Sequence, residues 1–164
     1  MKKQLNESQS CSYFRLVLKL FFEKAGWGAQ SKIAAMTNVP RSIISDYLAG
    51  NKPMSEKHRE TLSEYHGYIY EDLLAIGREL DRINSKQNKD IFVSFNIQIL
   101  EKIRKEYNFP LSAFAYWINV KKIIYEFKEK GFLPITFLEA STILNEIKKT
   151  HPNFVNPLQD ILKK

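Results

Sequence analysis

Phe14, Leu18, Phe21, Phe22 and Ala25 recur every three or four residues, the spacing of an apolar stripe down one side of an α-helix. Similar periodicity runs along most of the chain, and the six Gly and six Pro fall between the periodic segments. The pattern predicts helices at about 10–25, 30–36, 41–48, 55–66 and 69–82. Ser55 is placed to start the fourth of these and Gly67 to end it. Residues 83–90, INSKQNKD, are polar apart from Ile83 and suit a short linker. A second helical stretch is expected from Ser94, a candidate N-cap, with helices at about 94–107, 111–117, 121–130, 136–149 and 155–162. His151, Pro152 and Asn153 separate the last two. The expected fold is all-α, with one domain over 1–84 and a second small helical domain over 91–164.

The two halves align without a gap at an offset of 81 residues. Ser31 falls on Ser112, Ala34 on Ala115, Asn38 on Asn119 and Val39 on Val120. Ile43 falls on Ile124, Gly50 on Gly131, Pro53 on Pro134 and Thr61 on Thr142. Ile33 with Phe114, Met36 with Trp117 and Leu62 with Ile143 are conservative matches. These matches point to an internal repeat; the alternative is two unrelated helical halves that agree by composition.

The formal charge of +7 favours an anionic partner such as nucleic acid or a lipid surface. It is not gathered in a tail: residues 1–87 carry 13 Lys/Arg against 10 Asp/Glu, and residues 88–164 carry 12 against 8. Cys11 is the single cysteine, so no internal disulfide can form and a reducing cytoplasm is expected. It reads as a small half-buried residue rather than a redox switch. Lys2 and Lys3 are followed by Asn6, Glu7 and Ser8, which is not a secretion signal, and LVLKLFF at 16–22 is too short to span a bilayer. His58, His66 and His151 lack metal-ligand spacing, and there is no glycine-rich phosphate loop, so no cofactor, metal or enzymatic activity is expected. His66, beside Gly67, reads as a helix-end residue. Trp27 and Trp117 are expected in the core, Trp27 alternatively as a loop anchor.

The chemistry concentrates in residues 30–53, QSKIAAMTNVPRSIISDYLAGNKP. A first helix carries Ile33, Ala34 and Met36. Thr37 and Asn38 form a turn, and Asn tolerates the left-handed backbone that such turns need. Val39 fills the space between the helices, and Pro40 suits the first turn of the next, where no N–H is required. Ile44 with Tyr47 or Leu48 then face inward, Arg41, Ser42, Ser45 and Asp46 face outward, and Gly50 stops the helix.

These residues resemble the helix-turn-helix of the Cro and phage-repressor (XRE) family. The resemblance covers about residues 14–82. It rests on Gln30, Ile33-Ala34, Val39, Arg41-Ser42, Ile44-Ser45, Gly50, Pro53 and the segment Tyr70-Glu71-Asp72-Leu73-Leu74. It implies a lambda-repressor-like five-helix domain whose second motif helix lies in the major groove. Arg41 would give two hydrogen bonds to guanine, and Ser42 and Ser45 would meet bases or phosphates. Asp46 would accept from cytosine or orient Arg41. Gln30, Lys32, Asn51 and Lys52 would contact phosphate. The implied function is a sequence-specific, repressor-like transcriptional regulator of phage or mobile-element type, binding a palindromic operator as a homodimer. The alternative is an antitoxin or adaptor that neutralises a protein partner. A membrane-surface role is disfavoured, because no helix has a clearly basic amphipathic face.

The second half departs from this pattern. Leu111 stands where Gln30 does, Lys121-Lys122-Ile123 replaces Pro40-Arg41-Ser42, and Phe127 replaces Asp46. With the same face outward, Ile123 and Phe127 would form an apolar surface, the mark of a protein interface. Residues 91–164 are therefore expected to be a degenerate helix-turn-helix used for dimerisation or partner binding, with Lys121 and Lys122 able to touch phosphate. A one-residue shift of the helix face would instead bury the two apolar residues.

Overall fold

The computed structural model describes residues 7–85 and 97–157, and every regular element among them is a helix. The chain divides into two units, Met1–Lys86 and Gln87–Lys164.

The first unit holds α1 (Glu7–Ala25), α2 (Ala29–Thr37), α3 (Arg41–Ala49), α4 (Glu56–Tyr65) and α5 (Tyr70–Ser85). The periodic stripe of α1 buries Phe14, Val17, Leu18 and Phe21, while Phe22 is half-buried and Ala25, at the helix end, is exposed. Ile33, Val39, Ile44, Met54, Leu62, Leu73 and Ile76 complete the core. Ser55 caps α4 by accepting from the His58 N–H at 3.3 Å. Glu71 and Asp72 lie in the first turn of α5, where carboxylates meet the positive end of the helix dipole. Residues 83–85, expected in the linker, continue α5.

The longest contact in this unit is α1 against α5, and Gly77 sets its closeness. A Cβ at Gly77 would lie 2.2 Å from the Tyr13 carbonyl oxygen. No side chain fits there without the helices moving apart.

A polar cluster is buried beside this contact. The Arg59 guanidinium donates to the Tyr70 hydroxyl at 2.8 Å, to the Cys11 sulfur at 2.8 Å, and to the Met54 carbonyl. Cys11 is thus fully rather than half buried, and Arg59 fixes three segments through neutral acceptors. His66 ends α4 and stacks on Phe21 with ring centroids 4.2 Å apart. Its burial lowers its pKa from 6.5 to about 4.

The second unit holds α6 (Ile97–Glu106), α7 (Leu111–Trp117), α8 (Lys122–Glu129) and α9 (Phe137–Thr150). Its core gathers Leu100, Phe114, Tyr125, Ala140, Ile143 and Ile147. Thr136 and Glu139 form a reciprocal capping box at the start of α9. The buried Lys128 ammonium donates to the Pro134 carbonyl at 2.8 Å and to Glu139 at 3.1 Å, fixing the α8–α9 connection. Arg104 makes a two-pronged pair with Glu129 at 2.8 and 3.0 Å, tying α6 to α8. Ser94 and residues 86–90 lie outside the described residues. Val155–Pro157 are not helical, contrary to expectation, and the rest of the 155–162 segment is also outside the described residues.

The backbone repeats at the offset seen in the sequence. Asn38 and Asn119 are both left-handed, at φ 57° and 55°, as are Gly50 and Gly131, at 81° and 72°. The Asn51 N–H donates to the Asp46 carbonyl at 2.9 Å, and the Phe132 N–H to the Phe127 carbonyl at 2.8 Å. Thr61 bonds back to the Lys57 carbonyl at 2.9 Å, as Thr142 does to Leu138 at 2.8 Å.

Two consequences are measurable. Gly77→Ala should destabilise the first unit by about 3 kcal/mol, the upper end of ordinary overpacking, because the obstacle is backbone; thermal denaturation followed by circular dichroism checks this. His66 binds its proton more weakly folded than unfolded, so its contribution is a penalty that grows as pH falls. Stability should therefore drop between pH 6.5 and about 4, and His66→Gln should flatten that part of a denaturant-midpoint profile against pH.

Candidate nucleic-acid interface

The α2–α3 pair is joined by Asn38, Val39 and Pro40. The Thr37 hydroxyl donates to the Ile33 carbonyl at 2.7 Å and accepts from the Val39 N–H at 3.4 Å. The left-handed Asn38 turns the chain, Val39 is buried, and Pro40 begins α3.

Two inward residues fix the rotation of α3. Ile44 and Tyr47 are fully buried, and the Tyr47 hydroxyl donates to the Cys11 carbonyl on α1. Arg15, also on α1, covers the Tyr47 ring with its guanidinium carbon 5.0 Å from the centroid. Burial raises the Tyr47 pKa, so the phenol keeps its donor proton. Gly50 closes the helix in the left-handed conformation, with its N–H on the Tyr47 carbonyl at 3.1 Å.

With that face inward, Arg41, Ser42 and Ser45 are exposed on the other. Among the described residues the side chain of none of the three has a hydrogen-bonding or ionic partner. Asp46 is half-buried and pairs with Lys52 at 3.5 Å, so its partner is Lys52 and not Arg41. Gln30 is half-buried in the first turn of α2, and Lys32 and Asn51 are exposed. Neither α2 nor α3 has a side-chain cap or an acidic residue in its first turn. The Ala29 N–H at the start of α2 bonds the Gly26 carbonyl at 3.4 Å, so it is the N-terminus of α3 that presents leading N–H groups and a positive dipole end without a cap.

Trp27 sits elsewhere than expected. Trp27 is fully exposed, neither core nor anchor, between Gly26 and Gly28, both left-handed. With a glycine on each side it has no periodic neighbours to pack with. Met36 is exposed, its sulfur 3.7 Å from the Tyr65 hydroxyl. Trp117 is half-buried against Phe109 and Phe114. Arg15 was not singled out in the sequence, where it reads as one charge on an amphipathic helix.

The face that α8 turns inward differs from the one aligned with α3. Phe127 is completely buried, with its ring 5.3 Å from Phe132, and Ile123 is half-buried. Ile124, Tyr125, Phe127 and Lys128 are all buried, so the inward arc of α8 is wider than that of α3. Phe127 thus cannot be part of an exposed apolar surface, contrary to the expectation that it would form one with Ile123.

Among the described residues no group of His, Cys, Asp and Glu could hold a metal ion, and no helix is long and apolar enough to cross a membrane. No protein-family model, no curated protein and no solved structure matches the chain.

Tyr47→Phe keeps the ring and removes the bond that ties α3 to α1. It should lower stability by about 1 kcal/mol, with the helix content of the protein unchanged, as measured by urea denaturation and circular dichroism.

Proposed function

We propose that the first unit is the sequence-specific DNA-binding domain of a repressor-like transcriptional regulator, with α2 and α3 as a lambda-repressor-like helix-turn-helix. The observation that carries this reading is the outward face of α3. Arg41, Ser42 and Ser45 are exposed without partners on a helix held at Ile44 and Tyr47. A side chain that reads a base must be free in the unbound protein and projected from a rigid support, and these residues meet both conditions.

Arg41 stands at the first residue of α3, where a helix laid in the major groove meets base edges. Its guanidinium fits the O6 and N7 acceptors of guanine, a contact worth about 1–3 kcal/mol of discrimination. Ser42 and Ser45 are short enough for close approach. Gln30, Lys32, Asn51 and Lys52 supply phosphate contacts around them, aided by the uncapped N-terminus of α3. Asp46 reads cytosine only if its exposed pair with Lys52 opens, which costs little. Two copies of the chain would place two α3 helices on a palindromic operator, with half-sites about one helical turn apart. The regulator itself would be of phage or mobile-element type.

Selection from a randomised duplex pool at physiological salt tests the reading. An enriched palindrome is expected for the wild type. Arg41→Ala should relax preference at one base position and weaken specific binding by about tenfold to a hundredfold. Recovery of no motif by the wild type would refute the reading and favour a protein partner, as for an antitoxin or adaptor.

A further inference from the structure

The second unit keeps the scaffold of the α2–α3 pair but changes what it displays. Lys122 occupies the position of Arg41, and each is the first residue of its helix. The residue before it, Pro40 in one case and Lys121 in the other, provides no side-chain cap, and neither first turn holds an acid. Lys121 and Lys122 are both exposed, and among the described residues neither has an ionic partner.

The acids nearby are neutralised. Glu126 pairs with Lys130 at 2.6 Å, Glu129 with Arg104 at 2.8 Å, and Glu139 with Lys128 at 3.1 Å. The leading end of α8 is therefore a locally uncompensated double positive charge. With Phe127 buried, nothing apolar in its outward arc competes with that charge except the half-buried Ile123.

The polar readers, by contrast, are gone. Ser42, Ser45 and Asp46 correspond to Ile123, to the paired Glu126 and to the buried Phe127. A lysine binds phosphate as a point charge, without the planar fork that lets arginine select guanine.

We propose that the second unit binds the phosphate backbone of duplex DNA through Lys121 and Lys122, without reading sequence. The proposal rests on the assignment of α3 as the reading helix. It replaces the protein interface expected from Ile123 and Phe127.

The salt dependence of binding tests it. Affinities of the full chain for the selected duplex and for a random duplex of equal length would be measured across a range of salt. The variants are Lys121→Ala/Lys122→Ala, Lys121→Arg/Lys122→Arg and Arg41→Ala. Each phosphate contact contributes about 0.9 to the slope of log K against log salt. The double alanine variant should lower that slope by about 2, weaken both duplexes by the same factor, and leave the preferred sequence unchanged. The double arginine variant should keep the wild-type slope. Arg41→Ala should lose discrimination instead. The lysines are exposed, so an unchanged melting curve confirms that the variants are folded. An unchanged slope in the double alanine variant, while Arg41→Ala loses discrimination, overturns the proposal and leaves the reading of α3 standing. Weaker self-association without DNA at an unchanged slope also overturns it, by making this face a contact between copies. Absence of any specific duplex for the wild type removes α3 as a reader and this inference with it.

Discussion

The site depends on how Tyr47 is held. A nine-residue helix has too few hydrogen bonds to fix its own orientation, and most of its stability must come from packing. Tyr47 supplies packing and direction together: its ring is enclosed by α1 and its hydroxyl bonds the Cys11 carbonyl. The ring fixes how far α3 sits from α1, and the hydroxyl fixes its rotation. That rotation leaves Arg41, Ser42 and Ser45 outside. Arg59 reinforces the same place, because it bonds the Cys11 sulfur while also holding Tyr70 and the Met54 carbonyl.

The two units show how one scaffold tolerates different chemistry. What repeats is backbone: a left-handed Asn between the helices, a left-handed Gly after the second, and the same closing hydrogen bond. These positions are dictated by sterics, since only a few residue types adopt positive φ without strain. What changes is the buried anchor. Tyr47 in the first unit corresponds to Lys128 in the second, equally buried but satisfied by Glu139 and the Pro134 carbonyl. A phenol reaching to α1 and an ammonium reaching to α9 pin their helices from different sides. The buried arc of α8 is also wider: the position of Asp46 is taken by the buried Phe127, while that of Arg41 stays outward as Lys122.

Helix positions were legible because amphipathic spacing and terminal signals act locally. The bounds of α3, set by Pro40 and Gly50, and the cap at Ser55 could be read from neighbouring residues alone. The exposed set on α3 was legible for the same reason: Ile44 and Tyr47 left only one face for Arg41, Ser42 and Ser45. Alignment with α3 places Phe127 outward, whereas α8 buries it. An alignment transfers register, but not the width of the buried arc, which depends on the neighbours a helix meets. Trp27 was misread because size and apolarity argue for burial, whereas two left-handed glycines held it away from any core.

The sequence by itself determined the helical elements of the described residues, the turns at Asn38 and Asn119 and the helix stops at Gly50 and Gly131. All of these follow from interactions within a few residues. Tertiary structure alone decided that Gly77 lies against the Tyr13 backbone, that Arg59 is buried among Cys11, Met54 and Tyr70, and that Phe127 is inside. Each of these depends on which segments distant in sequence come together, and local periodicity carries no information about that.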